Sequence, residues 1–247
     1  MEHKEYIRIG DDATTAVLFI HGFVGTPNQF REFVSYVPDS ISVYTLLLDG
    51  HGKGVKDFSR TSMKKWEAQV TSVVEELTLT HEKLFIVAHS MGTLLAIDQA
   101  VKNQKVCRLF LLAVPIKLSL KPKMPLNSLK VYFDNIRPDD YEALAAKQCY
   151  GIQKDKNPFH YMGWIPRLWE LFVKIRQTRQ TVTQITTPCS VYQSEKDEMV
   201  STRSVKYLEN NPWILVNTLN ASGHYYYDKE DLAFLLTEFH TMLSADT

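Results

Sequence analysis

The sequence KLFIVAHSMGT, at residues 83–93, decides the fold of this chain. Its first half is an apolar run that predicts a buried strand, and the residues that follow have helical spacing. Ser90 lies on the turn between them, where the strained backbone requires small residues two positions away, and Ala88 and Gly92 meet this requirement. The N-terminus of the helix that follows Ser90 is its positive end, which favours negative charge on an attacking oxygen. The turn predicts a nucleophilic serine, although an ordinary helix N-cap serine fits the same residues.

Further apolar runs predict the other strands, and segments with helical spacing lie between them. Strands are expected at residues 16–20, 41–48, 84–88, 106–114, 190–193 and 213–219, with an antiparallel edge strand at residues 6–9. Amphipathic helices are expected around residues 63–77 and 232–243. This alternation predicts an α/β fold in which helices flank a mostly parallel central sheet.

The alternation stops between residues 116 and 187, where helical patterns and aromatic residues replace strands. A long excursion of this kind is usually functional. We expect residues 1–115 and 188–247 to form the core and residues 116–187 to form an inserted helical cap. Packing on the sheet explains most of the aromatic side chains of the insertion, and two or three remain to line a substrate pocket. The aromatic residues are Tyr132, Phe133, Phe159, Tyr161, Trp164, Trp169 and Phe172.

The segment His21-Gly22-Phe23 directly follows the first of the predicted parallel strands. A serine that attacks a carbonyl group generates an oxyanion, which enzymes usually stabilise with two backbone N–H groups. The amides of Phe23 and Met91 are well placed to supply these donors. A flexible strand-to-helix turn is the other interpretation of the segment.

A histidine and an acid follow later in the chain. His224 comes after the last predicted strand, from where it can reach a serine at the end of a neighbouring strand and act as a general base. Of the eight histidines, it alone has the right chain order. Asp197 is the expected acid that orients His224, with Glu195 as the weaker alternative. A solvated acidic turn is the remaining explanation for both carboxylates.

Together these segments resemble the α/β-hydrolase superfamily, in which the nucleophile, the acid and the histidine follow in that order. Ser90, Asp197 and His224 keep this order. His21-Gly22-Phe23 resembles the oxyanion segment of the family, and the sequence LDGHGKG at residues 48–54 resembles its glycine-rich loop after the next strand. More narrowly, the chain resembles small bacterial carboxylesterases and monoacylglycerol lipases, in which a compact helical cap follows the sixth strand.

The resemblance implies a serine hydrolase that cleaves carboxylic esters with short to medium acyl groups, or monoacylglycerols, through an acyl-enzyme. We also expect substrate contacts at Phe23, His89 and Trp164. Ala88 replaces the first glycine of the family pattern G-x-S-x-G, and its methyl group is small enough to be tolerated. Because this fold supports many reactions, amide, peptide or carbon–carbon bond hydrolysis and haloperoxidation stay open, as does a catalytically silent ligand-binding scaffold.

Composition and charge exclude several other classes of protein. The chain has 28 basic and 28 acidic residues, so no net field attracts nucleic acid or an anionic membrane. The glycines at residues 50–54 match neither of the nucleotide-binding patterns G-x-G-x-x-G and G-x-x-x-x-G-K-[ST]. The three cysteines are widely separated and predict no metal site. We therefore expect no cofactor, metal, nucleic acid or stable membrane insertion. The resemblance implies a small-molecule ester as the bound partner, and a monomer and a homodimer are both reasonable. The first residues, Met1 to Glu5, lack the apolar run of a secretory signal, which predicts a cytoplasmic protein.

Overall fold

A seven-stranded sheet organises the described part of the chain, which comprises residues 3–11, 14–119 and 121–244 of this computed structural model. Its strands are β1 (Tyr6–Arg8), β2 (Thr15–Ile20), β3 (Ser42–Leu46), β4 (Lys83–His89), β5 (Val106–Leu112), β6 (Cys189–Ser194) and β7 (Ile214–Leu219). The order across the sheet is β1-β3-β2-β4-β5-β6-β7, and only the β1–β3 pair is antiparallel. The predicted mostly parallel sheet with an antiparallel edge strand is confirmed. Met1 and Glu2, which belong to the expectation about a secretory signal, lie outside the described residues.

β3 and β5 each end two residues earlier than the sequence predicts, and each ends for a local reason. β3 stops at Leu46 because the next two N–H groups donate to side chains rather than to a strand: Leu47 to Glu5, and Leu48 to His21 Nε2. β5 stops at Leu112 because Ala113 has a φ of 54°, which a strand cannot accommodate. Both endings lie at the edge of the sheet where the functional segments gather.

Helices cover both faces of the sheet. They are α1 (Arg31–Ser35), α2 (Val55–Arg60), α3 (Met63–Thr80), α4 (Met91–Lys102), α5 (Lys123–Phe133), α6 (Tyr141–Cys149), α7 (Trp164–Thr181), α8 (Val205–Leu208) and α9 (Lys229–Ser244), with short 3₁₀ helices at Pro27–Phe30, Pro158–Gly163, Val182–Gln184 and Thr202–Ser204. α3 begins where the Ser62 hydroxyl accepts the N–H of Lys65, and it buries Trp66 and Val70. Each such side chain contributes about 1.5–3 kcal/mol through burial.

The sheet separates two apolar layers because successive strand residues point to opposite faces. Leu18 and Ile86 face the layer formed with α3, α4 and α7. Phe19 and Val87 face the opposite layer, which contains α1 and α9. The carboxyl ends of the parallel strands therefore meet at one edge, between two rigid layers.

Residues 116–187 contain α5, α6, the 3₁₀ helix Pro158–Gly163 and α7, and no strand is present among their described residues. The backbone of this insertion pairs with the loops after β2 and β3: Gly151 N–H donates to Val24 O (2.8 Å), and Gly52 N–H donates to Gly151 O (2.7 Å). α7 is tied to α3 and α4 by Lys174, whose buried ammonium group contacts Glu67 and Asp98. The division of the chain into core and cap stays a prediction. None of the described helices is long and apolar enough to cross a membrane.

Candidate active site

Ser90 lies between β4 and α4 with a backbone conformation that residues other than glycine rarely adopt. Its φ is 51° and its ψ is −124°. The turn is maintained because Ser90 N–H donates to Leu112 O (2.9 Å), while the Thr93 N–H (2.9 Å) and hydroxyl (2.6 Å) donate to Ser90 O. The Ser90 hydroxyl makes no capping hydrogen bond to α4, which removes the helix-cap explanation for this residue. Strain held in place by surrounding contacts is typical of functional sites.

Two glycines allow the Ser90 turn to pack closely against the segment after β2. A Cβ atom on Gly92 would lie 2.3 Å from Ile20 O and 2.6 Å from His21 O. A Cβ atom on Gly22 would lie 3.0 Å from Ser90 Cβ. The loop that carries Phe23 therefore lies directly beside the candidate nucleophile.

His224 and Asp197 form a buried pair at the ends of β7 and β6. His224 Nδ1 is 2.9 Å from Asp197 Oδ2, and the two side chains are almost completely buried. Asp197 Oδ1 accepts the N–H groups of Met199 (2.7 Å) and Val200 (2.8 Å), so the carboxylate cannot rotate freely. His224 Nε2 is buried and has no hydrogen-bond partner among the described residues. That nitrogen is available to accept a proton from another group.

The environment stabilises the charged form of both members of this pair. Burial alone lowers the pKa of His224, but the charge and hydrogen bond of Asp197, together with the charge of Glu198, outweigh burial and raise it above the usual 6.5. Burial raises the pKa of Asp197, yet its contacts with His224 and with the backbone amides lower it overall. A cation that forms on His224 during proton transfer is therefore stabilised by a fixed anion.

The amides of Phe23 and Met91 have no hydrogen-bond acceptor among the described residues, although both belong to the segments that surround Ser90. The Phe23 segment is held from behind by two histidines. His51 Nε2 donates to Phe23 O (2.7 Å), and His21 Nδ1 donates to Gly22 O (2.9 Å). His21 Nε2 accepts the N–H of Leu48 (3.1 Å), which assigns the proton to Nδ1. Burial, followed by the proximity of His51, lowers the pKa of His21 well below its usual value, so it remains neutral.

Aromatic rings connect the Phe23 segment to the insertion. The ring of Phe23 lies 5.1 Å from that of Phe58, which lies 4.8 Å from that of Trp164, and Trp164 lies 5.2 Å from Tyr161. The Trp164 Nε1 atom is buried without a hydrogen-bond partner among the described residues. The predicted substrate contacts at Phe23 and Trp164 thus belong to one aromatic cluster.

The third predicted substrate contact, His89, has a different environment. It is only 2% exposed, and its Nε2 donates to the backbone carbonyl of His224 at 2.8 Å. Burial, and then the nearby His224, lower the pKa of His89 to about 3. A neutral His89 thus contacts the backbone that carries His224.

A family model described as serine aminopeptidase, S33 (Hydrolase_4) matches residues 11–212 of the sequence. The chain belongs to this α/β-hydrolase family. A thermostable monoacylglycerol lipase of Bacillus sp. (strain H-257) is 25% identical over 193 residues, which cover 77% of this chain and 73% of the relative.

Two solved structures have the same fold as this member of the S33 family. One comes from work on the metagenome-derived lipolytic enzymes LipS and LipT, with a TM-score of 0.73, 16% identity, and coverage of 99% and 98% of the two chains. The other is the monoacylglycerol lipase of Paleococcus ferrophilus, with a TM-score of 0.69, 16% identity and full coverage of both chains. The predicted resemblance to α/β-hydrolases of the carboxylesterase and monoacylglycerol lipase type is confirmed.

In this S33 family member, sequence reasoning missed a second carboxylate beside His224. Glu198 Oε2 accepts the His224 N–H at 2.9 Å. Glu195, the alternative acid, is exposed on the same turn. Nothing in the local sequence distinguishes the two glutamates, because both flank Asp197 in one acidic turn. The contact between His51 and Phe23 O was also missed, although the position of His51 between two glycines marked a tightly packed loop.

Proposed function

We propose that the protein is a serine hydrolase that cleaves carboxylic esters through an acyl-enzyme. Ser90 attacks the substrate carbonyl, and His224 Nε2 takes the proton while Asp197 holds the ring at Nδ1. The Phe23 and Met91 amides stabilise the oxyanion, and the loss of one such donor typically costs about 100-fold in rate. The proton then passes to the leaving alcohol, and a water molecule, activated by His224, releases the acid.

The observation that carries the proposal is the environment of His224. Its Nδ1 is bonded to a buried carboxylate at 2.9 Å, while its Nε2 is buried without a partner. An unpaired buried nitrogen costs about 1–3 kcal/mol, and His81 and His89 also leave one, but among the described histidines only His224 binds a fully buried carboxylate through its other nitrogen. A base that must exchange protons with Ser90 and substrate leaves one nitrogen open.

The substrates that we propose are esters with short to medium acyl groups, or monoacylglycerols. The aromatic cluster from Phe23 to Trp164 supports an apolar acyl chain, because ligand pockets are lined mainly by apolar side chains with a few polar groups. The Bacillus relative is named a monoacylglycerol lipase, which supports the same class. We propose that Phe23 and Trp164 contact this chain and that the small-molecule ester is bound by a monomer or a homodimer.

A fluorophosphonate probe tests the nucleophile. We expect the wild type to be labelled at Ser90, and Ser90→Ala to lose the label and roughly 10⁶-fold in kcat with the fold unchanged. His224→Ala should likewise abolish turnover. Equal labelling of the wild type and Ser90→Ala would refute the assignment. Hydrolysis rates for p-nitrophenyl esters from acetyl to palmitoyl, measured beside monoacylglycerols, then define the substrate.

Amide hydrolysis is the second candidate, because the matching family is described as a serine aminopeptidase. The same nucleophile and base cleave amides on this fold, so the triad cannot distinguish the two reactions. If the protein hydrolyses aminoacyl p-nitroanilides faster than every ester, peptides replace esters as the proposed substrates. Tight ligand binding that survives Ser90→Ala, with no probe labelling, would instead indicate a silent scaffold.

A further inference from the structure

Glu198 is a buried carboxylate beside the candidate triad that the proposed proton transfers do not use. It is 6% exposed and follows directly after Asp197. Its Oε2 accepts the backbone N–H of His224 at 2.9 Å, whereas Asp197 holds the ring of the same residue. Two adjacent carboxylates thus bind the side chain and the backbone of one histidine.

The chain opposite Glu198 is shaped to receive this carboxylate. A Cβ atom on Gly223 would lie 3.1 Å from Glu198 Oε2, which is tighter than an ordinary contact. The backbone at Gly223 has no positive φ, so conformational strain does not require a glycine there. The small residue instead permits the close approach of the Glu198 oxygen to the His224 amide.

The backbone of His224 is held on both sides. Glu198 binds its N–H, and His89 Nε2 donates to its carbonyl at 2.8 Å. The same loop is fixed at its base, where the Ser222 hydroxyl and the Ala221 N–H donate to Asp231. We propose that Glu198 is a positioning residue, which fixes the His224 backbone and adds a second negative charge beside the imidazolium that forms during catalysis. This inference rests on the proposed function.

Few other charges compete with Glu198 at this place. The titratable groups that face His224 or Glu198 are Asp197 on the same turn, His89 after β4, Tyr225 on the His224 loop, and Tyr150 and Glu142 of the insertion. Glu142 is paired with Lys123 at 2.6 Å. No ion pair joins a lysine or arginine to Glu198 within the described residues. The negative charge of Glu198 lies beside His224, where, after the larger contributions of Asp197, it helps to raise the pKa of this histidine.

Two substitutions at Glu198 separate the effect of its hydrogen bond to the His224 amide from the effect of its charge. Glu198→Gln keeps an oxygen that accepts the His224 N–H but removes the charge. We expect its plateau kcat to stay within about 3-fold, and the acidic limb of kcat/KM to move to lower pH because the pKa of His224 falls. Glu198→Ala removes the acceptor as well, and we expect kcat to fall about 10- to 100-fold with KM nearly unchanged. Glu195→Gln, which removes an exposed charge from the same turn, should change neither quantity.

A double-mutant cycle with Gly223 tests the contact itself. Gly223→Ala should lower kcat in the same direction as Glu198→Ala, because the added methyl group displaces the carboxylate. In the double variant the two losses should be clearly less than multiplicative, since both remove one interaction. Melting temperatures measured in parallel separate these effects from loss of the fold.

Nuclear magnetic resonance of labelled histidine gives a readout that needs no turnover. We expect the His224 ring to titrate at a lower pH in Glu198→Gln than in the wild type and in Glu195→Gln. Coincident titration curves would overturn the contribution of the Glu198 charge, and a fully active Glu198→Ala would overturn its positioning role, while Ser90 labelling left the proposed function intact. An unlabelled and inactive wild type would instead overturn the proposed function, and the titration would still decide the contact.

Discussion

The strand-end turns that carry Ser90, Asp197 and His224 differ sharply from the insertion at residues 116–187 in the burial of their side chains. In the turns, polar atoms are buried and most are paired, whereas His224 Nε2 and His89 Nδ1 have no partner among the described residues. In the insertion, large apolar side chains face solvent: Phe159 is 74% exposed and Trp169 70%. The turns therefore have a fixed geometry, whereas the insertion presents apolar side chains to solvent. Under the proposed function, this difference teaches that the chemistry belongs to the turns and the choice of substrate to the insertion.

One helix of the insertion does not follow this division. α7 buries Leu171 and Ile175 in the core layer and is fixed by the buried Lys174. α5 and α6 are instead held by ion pairs with partly exposed partners, such as Lys130 with Asp140 and Lys147 with Asp134. We expect substitutions to have large effects in the turns, intermediate effects at α7 and small effects at exposed positions of the insertion.

The largest effect is expected at Asp197. Asp197→Asn should lower kcat about 10⁴-fold, because an amide stabilises the wrong tautomer of His224 and no charge faces the imidazolium. Loss of the carboxylate also lowers the pKa of His224, so the acidic limb of kcat/KM, which we expect above pH 6.5 in the wild type, should move to lower pH. Measurements of kcat and kcat/KM over a range of pH test both the loss of rate and the shift of the acidic limb. Glu195→Gln is the matched control, and an equal loss there would refute the choice of acid.

The next effect is expected at Gly92. Gly92→Ala places a Cβ atom 2.3 Å from Ile20 O, and backbone on both sides cannot yield easily. We expect a loss of about 3 kcal/mol in the free energy of unfolding and a large drop in activity. In Gly54→Ala the nearest atom would be 3.7 Å away, so denaturant unfolding of this variant should resemble the wild type. Equal stability of the two variants would show that the turn tolerates displacement.

A smaller effect is expected where α7 joins the core. Lys174→Met leaves Glu67 and Asp98 facing each other without their shared cation. We expect a loss of roughly 2 kcal/mol in the free energy of unfolding, less than for a fully buried pair because Glu67 is partly exposed. Lys147→Met, which breaks an exposed pair, should leave the melting temperature unchanged. A stable Lys174→Met would indicate that apolar contacts alone attach α7.

The smallest effect is expected for the aromatic cluster, and it should appear in KM. Trp164→Ala removes a ring that packs on Phe58 and should raise KM about 5-fold for long-chain esters, which corresponds to about 1 kcal/mol. Acetyl esters should be unaffected because they do not reach the insertion. Trp169→Ala is the control on the exposed side of α7 and should bind every ester as the wild type does. A change at Trp169 alone would locate the acyl chain outside the cluster.

The parallel strands were predictable because their apolar runs are nearly continuous. The segments that resemble the α/β-hydrolase superfamily were predictable because each of them follows the end of a strand. One strand end was predicted wrongly because distant side chains compete for its backbone groups. β3 was predicted to reach residue 48, but Glu5 and His21 accept the N–H groups of Leu47 and Leu48. The substrate contact at His89 stays a prediction, while the hydrogen bond from its Nε2 to the His224 backbone carbonyl joins residues too far apart in the chain for the sequence to show it.

The sequence by itself determined the order of strands and helices, the serine turn, and the succession of Ser90, Asp197 and His224. These depend on local patterns: apolar periodicity, small residues around a strained serine, and positions after strands. Only the tertiary structure decided which acidic side chain turns inward, because Glu195, Asp197 and Glu198 share one turn. Asp197 faces His224 since the backbone amides of Met199 and Val200 hold its carboxylate, and Glu198 meets the His224 amide since Gly223 leaves room. These contacts join residues that are far apart in the chain, so no local pattern records them.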